Sequence, residues 1–201
     1  VTHSFGEGAP LVTAAQRYGR IVQCGMQSRT SPAIREAIEW VRAGNLGAIQ
    51  LVRGLCYKPR PSIGKTKGNQ KLPDSVDYDL WCGPAPLAPL RRARLHYDWH
   101  WSFATGDGDL GNQGVHQIDV ARWVLGTDEL PLSVLSLGAR FGYDDDGETP
   151  NTQMVFYAYE PVPFLFEVRG LPRDVAAQGV DWLAGMDDYL GVKIGVIVHC
   201  E

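Results

Sequence analysis

The stretch GDGDLGNQGVHQIDVARW, residues 106–123, brings carboxylates, amides and a histidine together at short spacing. Gly106, Gly108 and Gly111 stand in G-x-G-x-x-G order, the spacing of a turn that cradles a dinucleotide pyrophosphate. That chemistry needs a buried strand before the turn and backbone N–H groups left open to an anion. The preceding HWSFAT is not a core strand, and Asp107 and Asp109 between the glycines would repel phosphate. The acid expected about 20 residues further on would fall in GTDELP, a helix end and turn. This stretch is therefore not a dinucleotide turn. It is not an EF-hand either, because Gly111 and Asn112 occupy the positions where that loop needs Asp or Asn and then Gly. What remains is a turn opening a helix, with Asn112, His116 and Asp119 at i, i+4 and i+7 on one face. An imidazole between an amide and a carboxylate is suited to proton transfer. A core histidine satisfied by its neighbours has the same spacing, and the residues alone leave both readings open.

The elements that must position this helix can be read from periodicity. Residues 6–18 read as a helix ending at Gly19, and 20–26, RIVQCGM, as a short buried strand after it. Ser31 and Pro32 open a second helix as N-cap and first helical residue, with Ile34, Ala37, Ile38 and Val41 on one face and GNLG as its stop. AIQLVRGLCYK (48–58) alternates as a strand. Residues 59–75 carry Pro, Gly and basic side chains without apolar period and read as a long loop, either solvated or functional. Segments 132–141, 152–160, 163–171 and 193–200 read as further strands, with antiparallel pairing favoured between consecutive members. The fold class expected is α/β (α+β): a large open, mostly antiparallel sheet flanked by helices.

Composition narrows the function classes. A 201-residue chain with net charge −4 and pI near 5.7 lacks the basic face of a phosphate-backbone binder, so no nucleic-acid partner is expected. No apolar run reaches the roughly 20 residues needed to span a bilayer, so no membrane partner is expected. The four cysteines are far apart, form no C-x-x-C pair and read as buried free thiols, with no metal site.

GRIVQCGMQSRTSP, GNLGAIQLVRG, a long loop, DYDLWCGPAP, WHWSFATGDG and GNQGVHQIDVARW, in that order, closely resemble the Gfo/Idh/MocA family of NAD(P)-dependent oxidoreductases over nearly the whole chain. The resemblance implies an N-terminal Rossmann domain and a C-terminal domain built on a large open sheet that binds substrate and mediates oligomerisation. By this likeness residues 1–30 are the helix–strand remnant of the Rossmann domain and 31–201 the substrate domain, incomplete at its end. The chain would begin just after the family's Glu-Lys-Pro motif and would be inactive alone.

The family's proton-transfer pair is an Asp and a His in D-x-x-x-H spacing. His116 matches the histidine, while Asn112 stands at the aspartate position. An amide can orient an imidazole but cannot stabilise an imidazolium by charge, so Asp119 or Asp109 is a candidate to take that part. The same resemblance places Gln27 and Arg29 near the nicotinamide of NAD or NADP. It makes Lys58, Arg60, His100 and Asp119 candidates for substrate contacts, and Trp99, Trp101 or Trp123 candidates for stacking on a sugar ring. The reaction implied is oxidation of a secondary hydroxyl of a sugar, cyclitol or related polyol. An NAD-dependent glycosidase and a non-catalytic carbohydrate-binding or partner-binding domain are the alternatives. A homo-oligomer formed through the open sheet face and a cytoplasmic location are expected, with export left open.

Overall fold

The computed structural model describes residues 2–201. Its frame is a five-stranded sheet, β1 (Ile49–Tyr57), β2 (Val134–Ala139), β3 (Thr152–Tyr157), β4 (Phe164–Arg169) and β5 (Ile194–Cys200), in the order β2-β3-β4-β1-β5. The meander β2-β3-β4 is antiparallel and so is β1-β5, but β1 and β4 run parallel, pairing from Val52↔Phe164 to Tyr57↔Arg169. The expected mostly antiparallel open sheet is present. The one parallel pair follows from the long crossover between β1 and β2, which carries the chain over the sheet and returns it to the far side.

That crossover contains the helices of the site: α3 (Tyr78–Cys82), α4 (Gly108–Asn112) and α5 (Gly114–Leu125). Before β1 come α1 (Gly8–Arg17) and α2 (Pro32–Arg42). Helix α2 begins as its sequence dictates, with Pro32 in the first turn and the Ser31 hydroxyl accepting from the Ile34 N–H at 3.5 Å. It buries Ile38 beside Ala121 and Val124 of α5, and these pack on Val52, Cys56, Val155, Phe164, Phe166 and Val168 of the sheet. Helix α5 lies hard against the strands. A Cβ at Gly114 would come within 2.7 Å of the Phe166 ring and one at Gly54 within 2.8 Å of it, so both positions require glycine for the close approach.

The other sheet face is covered only in part. Leu55 and Tyr57 are buried there under Met186. Leu135, Leu137, Met154 and Phe156, which by pairing and alternation share that face on β2 and β3, are exposed.

Residues 20–26 do not form the expected strand. They pair with no strand, with Ile21 98% exposed, and α1 before them buries no side chain. An apolar run becomes a strand only beside another strand that takes its backbone hydrogen bonds, and none of the described residues does so. The cysteines are all free, but only Cys56 is buried, and Cys24 is exposed.

Candidate functional site

The candidate residues converge on the α4–α5 segment. Arg60, two residues beyond Lys58 at the exit of β1, donates from Nε to Asp109 Oδ2 at 2.7 Å and from Nη2 to Asp109 Oδ1 at 2.5 Å. Its Nη1 donates to the Tyr97 hydroxyl at 2.5 Å, and Arg60 and Asp109 are both almost wholly buried. Burial works against the guanidinium charge, but the Asp109 hydrogen bonds and charge outweigh it and hold the Arg60 pKa above its ordinary value. Arg60 is thus committed to a buried fork-to-fork pair that ties α4 to β1. Asp109, considered from sequence only as a possible partner of His116, is the other half of that pair.

Asn112 joins this pair instead of His116: its Nδ2 donates to Asp109 Oδ1 at 3.3 Å. The i, i+4 relation drawn from the sequence assumed one continuous helix. Between α4, which ends at Asn112, and α5, which starts at Gly114, Gln113 stays in the right-handed helical region at φ −110° and ψ −40°, with φ wider than in a regular helix. Gly111 and Gly114, both weak helix formers, flank the break.

Gln113, which the sequence reading did not single out, receives the Lys58 ammonium on its Oε1 at 3.1 Å and donates weakly to Gln117 Oε1 at 3.5 Å. The Lys58 Nζ also lies 5.4 Å from the centre of the Trp182 ring. The only sequence signal for Gln113 was its place three residues before His116. Three residues after His116, Asp119 accepts two hydrogen bonds from Arg29, Nε to Oδ2 and Nη2 to Oδ1, each 2.9 Å. The same guanidinium sits 4.7 Å from the centre of the Trp123 ring. Arg29 and Gln27 share the 3₁₀ turn Gln27–Thr30, which this pair holds against α5, and Gln27 is exposed.

His116 itself is half-buried, and its Nδ1 is buried with no hydrogen-bond partner. Three residues before it in sequence Gln113 holds Lys58, and three residues after it Asp119 holds Arg29.

His100 lies deeper and apart from this row. It is 1% exposed, neither ring nitrogen has a partner, and the rings of Tyr97, Trp99 and Trp101 surround it at 4.5–5.7 Å. Burial, reinforced by Arg60, lowers its pKa against the opposing pull of Asp109. Trp101 is also buried, with the Arg140 guanidinium 4.6 Å from the centre of its ring, so it is a core side chain. Among the described residues no group of three His, Cys, Asp or Glu side chains could hold a metal ion.

With this geometry in place, comparison decides the family. The Gfo/Idh/MocA oxidoreductase family, by its C-terminal alpha/beta domain, matches residues 47–160, more than half of the chain. The chain belongs to that family. Among solved structures it is similar to the WlbA dehydrogenase of Bordetella pertussis, determined in complex with NADH and UDP-GlcNAcA, at 17% identity and a TM-score of 0.58 over 85% of this chain and 43% of that one. GenD2 from gentamicin A biosynthesis, in complex with NAD, is 19% identical, with a TM-score of 0.57 over 84% of this chain and 38% of that one. A Desulfitobacterium hafniense protein described as an NADPH-dependent oxidoreductase is 17% identical, with a TM-score of 0.62 over 99% of this chain and 43% of that one. At these identities the likeness is one of fold, and the chain spans about two fifths of the length of those proteins. No curated protein matches the sequence. No helix among the described residues is long and apolar enough to cross a membrane.

Proposed function

We propose that the whole protein is an NAD(P)-dependent dehydrogenase that oxidises a secondary hydroxyl of a sugar, cyclitol or related polyol. In this reading residues 1–30 close the nucleotide-binding domain and 31–201 belong to the substrate domain. The observation that carries it is His116 on α5, with no hydrogen-bond partner on its Nδ1, three residues after the Gln113 that holds Lys58 and three before the Asp119 that holds Arg29. Such a histidine can take the proton of a substrate hydroxyl, and an ammonium such as that of Lys58 would favour the negative charge that develops on the oxygen. A nicotinamide cofactor, when bound, would supply the hydride acceptor. Arg29 belongs to a turn fixed on α5, so its part toward the cofactor would be to place that turn and Gln27 beside it. Lys58, with Gln113, is the group best placed to receive a substrate hydroxyl. Asp119 acts through Arg29, and Arg60 and His100 act through the packing of α4, so all three support the site from behind. The WlbA and GenD2 complexes, which hold NADH or NAD, support the cofactor class, and the UDP-GlcNAcA in WlbA supports a sugar-like substrate.

The exposed apolar side chains of β2 and β3 are the surface on which a second copy would pack, as the family resemblance implies. The reading is tested by screening sugars and cyclitols with NAD+ and NADP+ on the full-length protein while following nicotinamide absorbance. Reduction with at least one polyol, abolished by His116→Ala, supports it. A full-length protein that binds the cofactor yet reduces it with none of them defeats it.

A further inference from the structure

Between β4 and β5 the chain forms a compact loop, 173–185, closed where the Arg173 N–H donates to the Gly185 carbonyl at 2.7 Å. It is fastened from within and from without. Asp174 Oδ1 accepts from the Ala176 N–H at 2.9 Å, Asp181 Oδ1 accepts from the Leu183 N–H at 3.1 Å, and the Gln178 amide donates to the Ala184 carbonyl. Lys193, just before β5, donates from Nζ to the Leu183 carbonyl at 2.9 Å, and Met186 is buried against Leu55 and Tyr57 of β1. A loop whose ends meet and whose carbonyls and carboxylates are so engaged presents its side chains in fixed places.

Trp182 stands between the fastened residues Asp181 and Leu183 and belongs to neither hydrophobic core cluster. Its ring centre lies 5.4 Å from the Lys58 Nζ. Lys58 follows directly on β1 and is half-buried, and its long stem gives up rotamer freedom wherever the ammonium is held in one place. Two neutral groups meet that ammonium. Gln113 Oε1 accepts one of its N–H bonds at 3.1 Å, and the electron-rich face of the indole attracts its charge. Among the described residues no carboxylate pairs with it. A carboxylate would occupy the donors and cancel the charge, whereas an amide oxygen takes one donor of three and an aromatic ring leaves the charge standing.

We propose that Trp182 is a positioning residue: carried on the closed loop 173–185, its indole and the Gln113 amide hold the Lys58 ammonium from two sides and keep its remaining donors for a substrate oxygen. This rests on the reading of Lys58 as the group that receives a substrate hydroxyl. The loop thereby gains a part in the site although it lies in sequence far from α4 and α5. Its effect runs through Lys58, so replacing the indole should matter only while the ammonium is there to be held.

The contact is read directly by methylating the lysines of the chain with isotope-labelled formaldehyde and recording their methyl signals by NMR. The Lys58 signal, assigned by its loss in Lys58→Arg, should shift in Trp182→Leu as the ring current is removed, while those of Lys65, Lys67 and Lys71 stay in place. In the full-length protein, with a polyol that it oxidises, Trp182→Leu should lower kcat/KM about fivefold and Trp182→Phe by less, and Trp40→Leu, at an exposed position of α2, should leave it unchanged. With Lys58→Met already present, Trp182→Leu should cost nothing further. Far-ultraviolet circular dichroism confirms that each variant is folded. An unmoved Lys58 signal in folded Trp182→Leu, or the same loss of kcat/KM with Lys58 already replaced, overturns the proposal. A full-length protein that oxidises no polyol defeats the dehydrogenase reading instead, and the Lys58 signal then decides by itself whether Trp182 holds the ammonium.

Discussion

Arg60 and Asp109, 49 residues apart in sequence, meet as a two-point ion pair at 2.7 and 2.5 Å with both side chains out of water. The pair joins the exit of β1 to α4, the short helix from which the chain turns into α5 and His116. Removing one partner leaves a buried charge uncompensated, which costs roughly 3–5 kcal/mol, whereas replacing both by apolar side chains of similar size costs far less. Asp109→Ala should therefore lower unfolding free energy in urea by that amount, and Arg60→Met with Asp109→Leu by clearly less. A loss below about 1 kcal/mol for Asp109→Ala would show that the pair does not anchor α4.

His100 should make the fold sensitive to mild acid. Its folded pKa lies below the ordinary 6.5, because burial and then Arg60 disfavour the charged ring. Between that lowered value and 6.5 the unfolded chain binds more proton than the folded one, so stability falls as pH drops below 6.5. His100→Phe keeps the aromatic packing and removes the titration. Its urea midpoint should hold at neutral pH and fall less steeply than that of the unaltered chain on acidification, and an unchanged slope would clear His100 of this role.

What the sequence allowed to be read differs from element to element. Strand β1 alternates over part of its length and β2 to β5 are short apolar runs bounded by turn residues, and both patterns are legible locally. The run 20–26 has the same composition, but strand formation depends on a neighbour that no local pattern can report. The parallel pairing of β1 with β4 is equally silent, since it is set by how the long crossover packs. Within the site, His116 was visible from its helix, but the partner of Asp109 lies beyond a long loop, and the break at Gln113 is a backbone event between two glycines. Helical spacing pointed Asn112 toward His116, whereas the hydrogen bond its amide makes is to Asp109.

The exposed Leu135, Leu137, Met154 and Phe156 lead to a prediction about assembly. If a second copy covers this face, Leu137→Glu combined with Phe156→Glu should convert an oligomer to a monomer in sedimentation velocity without loss of secondary structure. A chain that already sediments as a monomer at micromolar concentration, before any substitution, would show that this face is not a self-association surface.

The contact of Asn112 with Asp109 reverses what its place in the family motif suggests. Were Asn112 the partner of His116, Asn112→Asp would restore the motif and raise the histidine's pKa. In the structure the new carboxylate would instead face Asp109, whose oxygens already take the Arg60 fork. Two carboxylates at one site resist joint ionisation, so the folded pKa of the introduced group would rise above its unfolded value. Stability would then be lost as pH rises through the unfolded carboxylate range and would stay low at neutral pH. Asn112→Asp should accordingly melt below the unaltered chain at neutral pH and approach it on acidification. Asn112→Ala, which loses one long hydrogen bond, should cost only about 1 kcal/mol at either pH. In the full-length protein His116→Ala should lower kcat by roughly 10²–10⁴, while Asn112→Ala leaves the acid limb of the kcat/KM profile in place. An acid limb that moves with Asn112→Ala, or an Asn112→Asp variant as stable at neutral pH as the original, would return Asn112 to the side of His116.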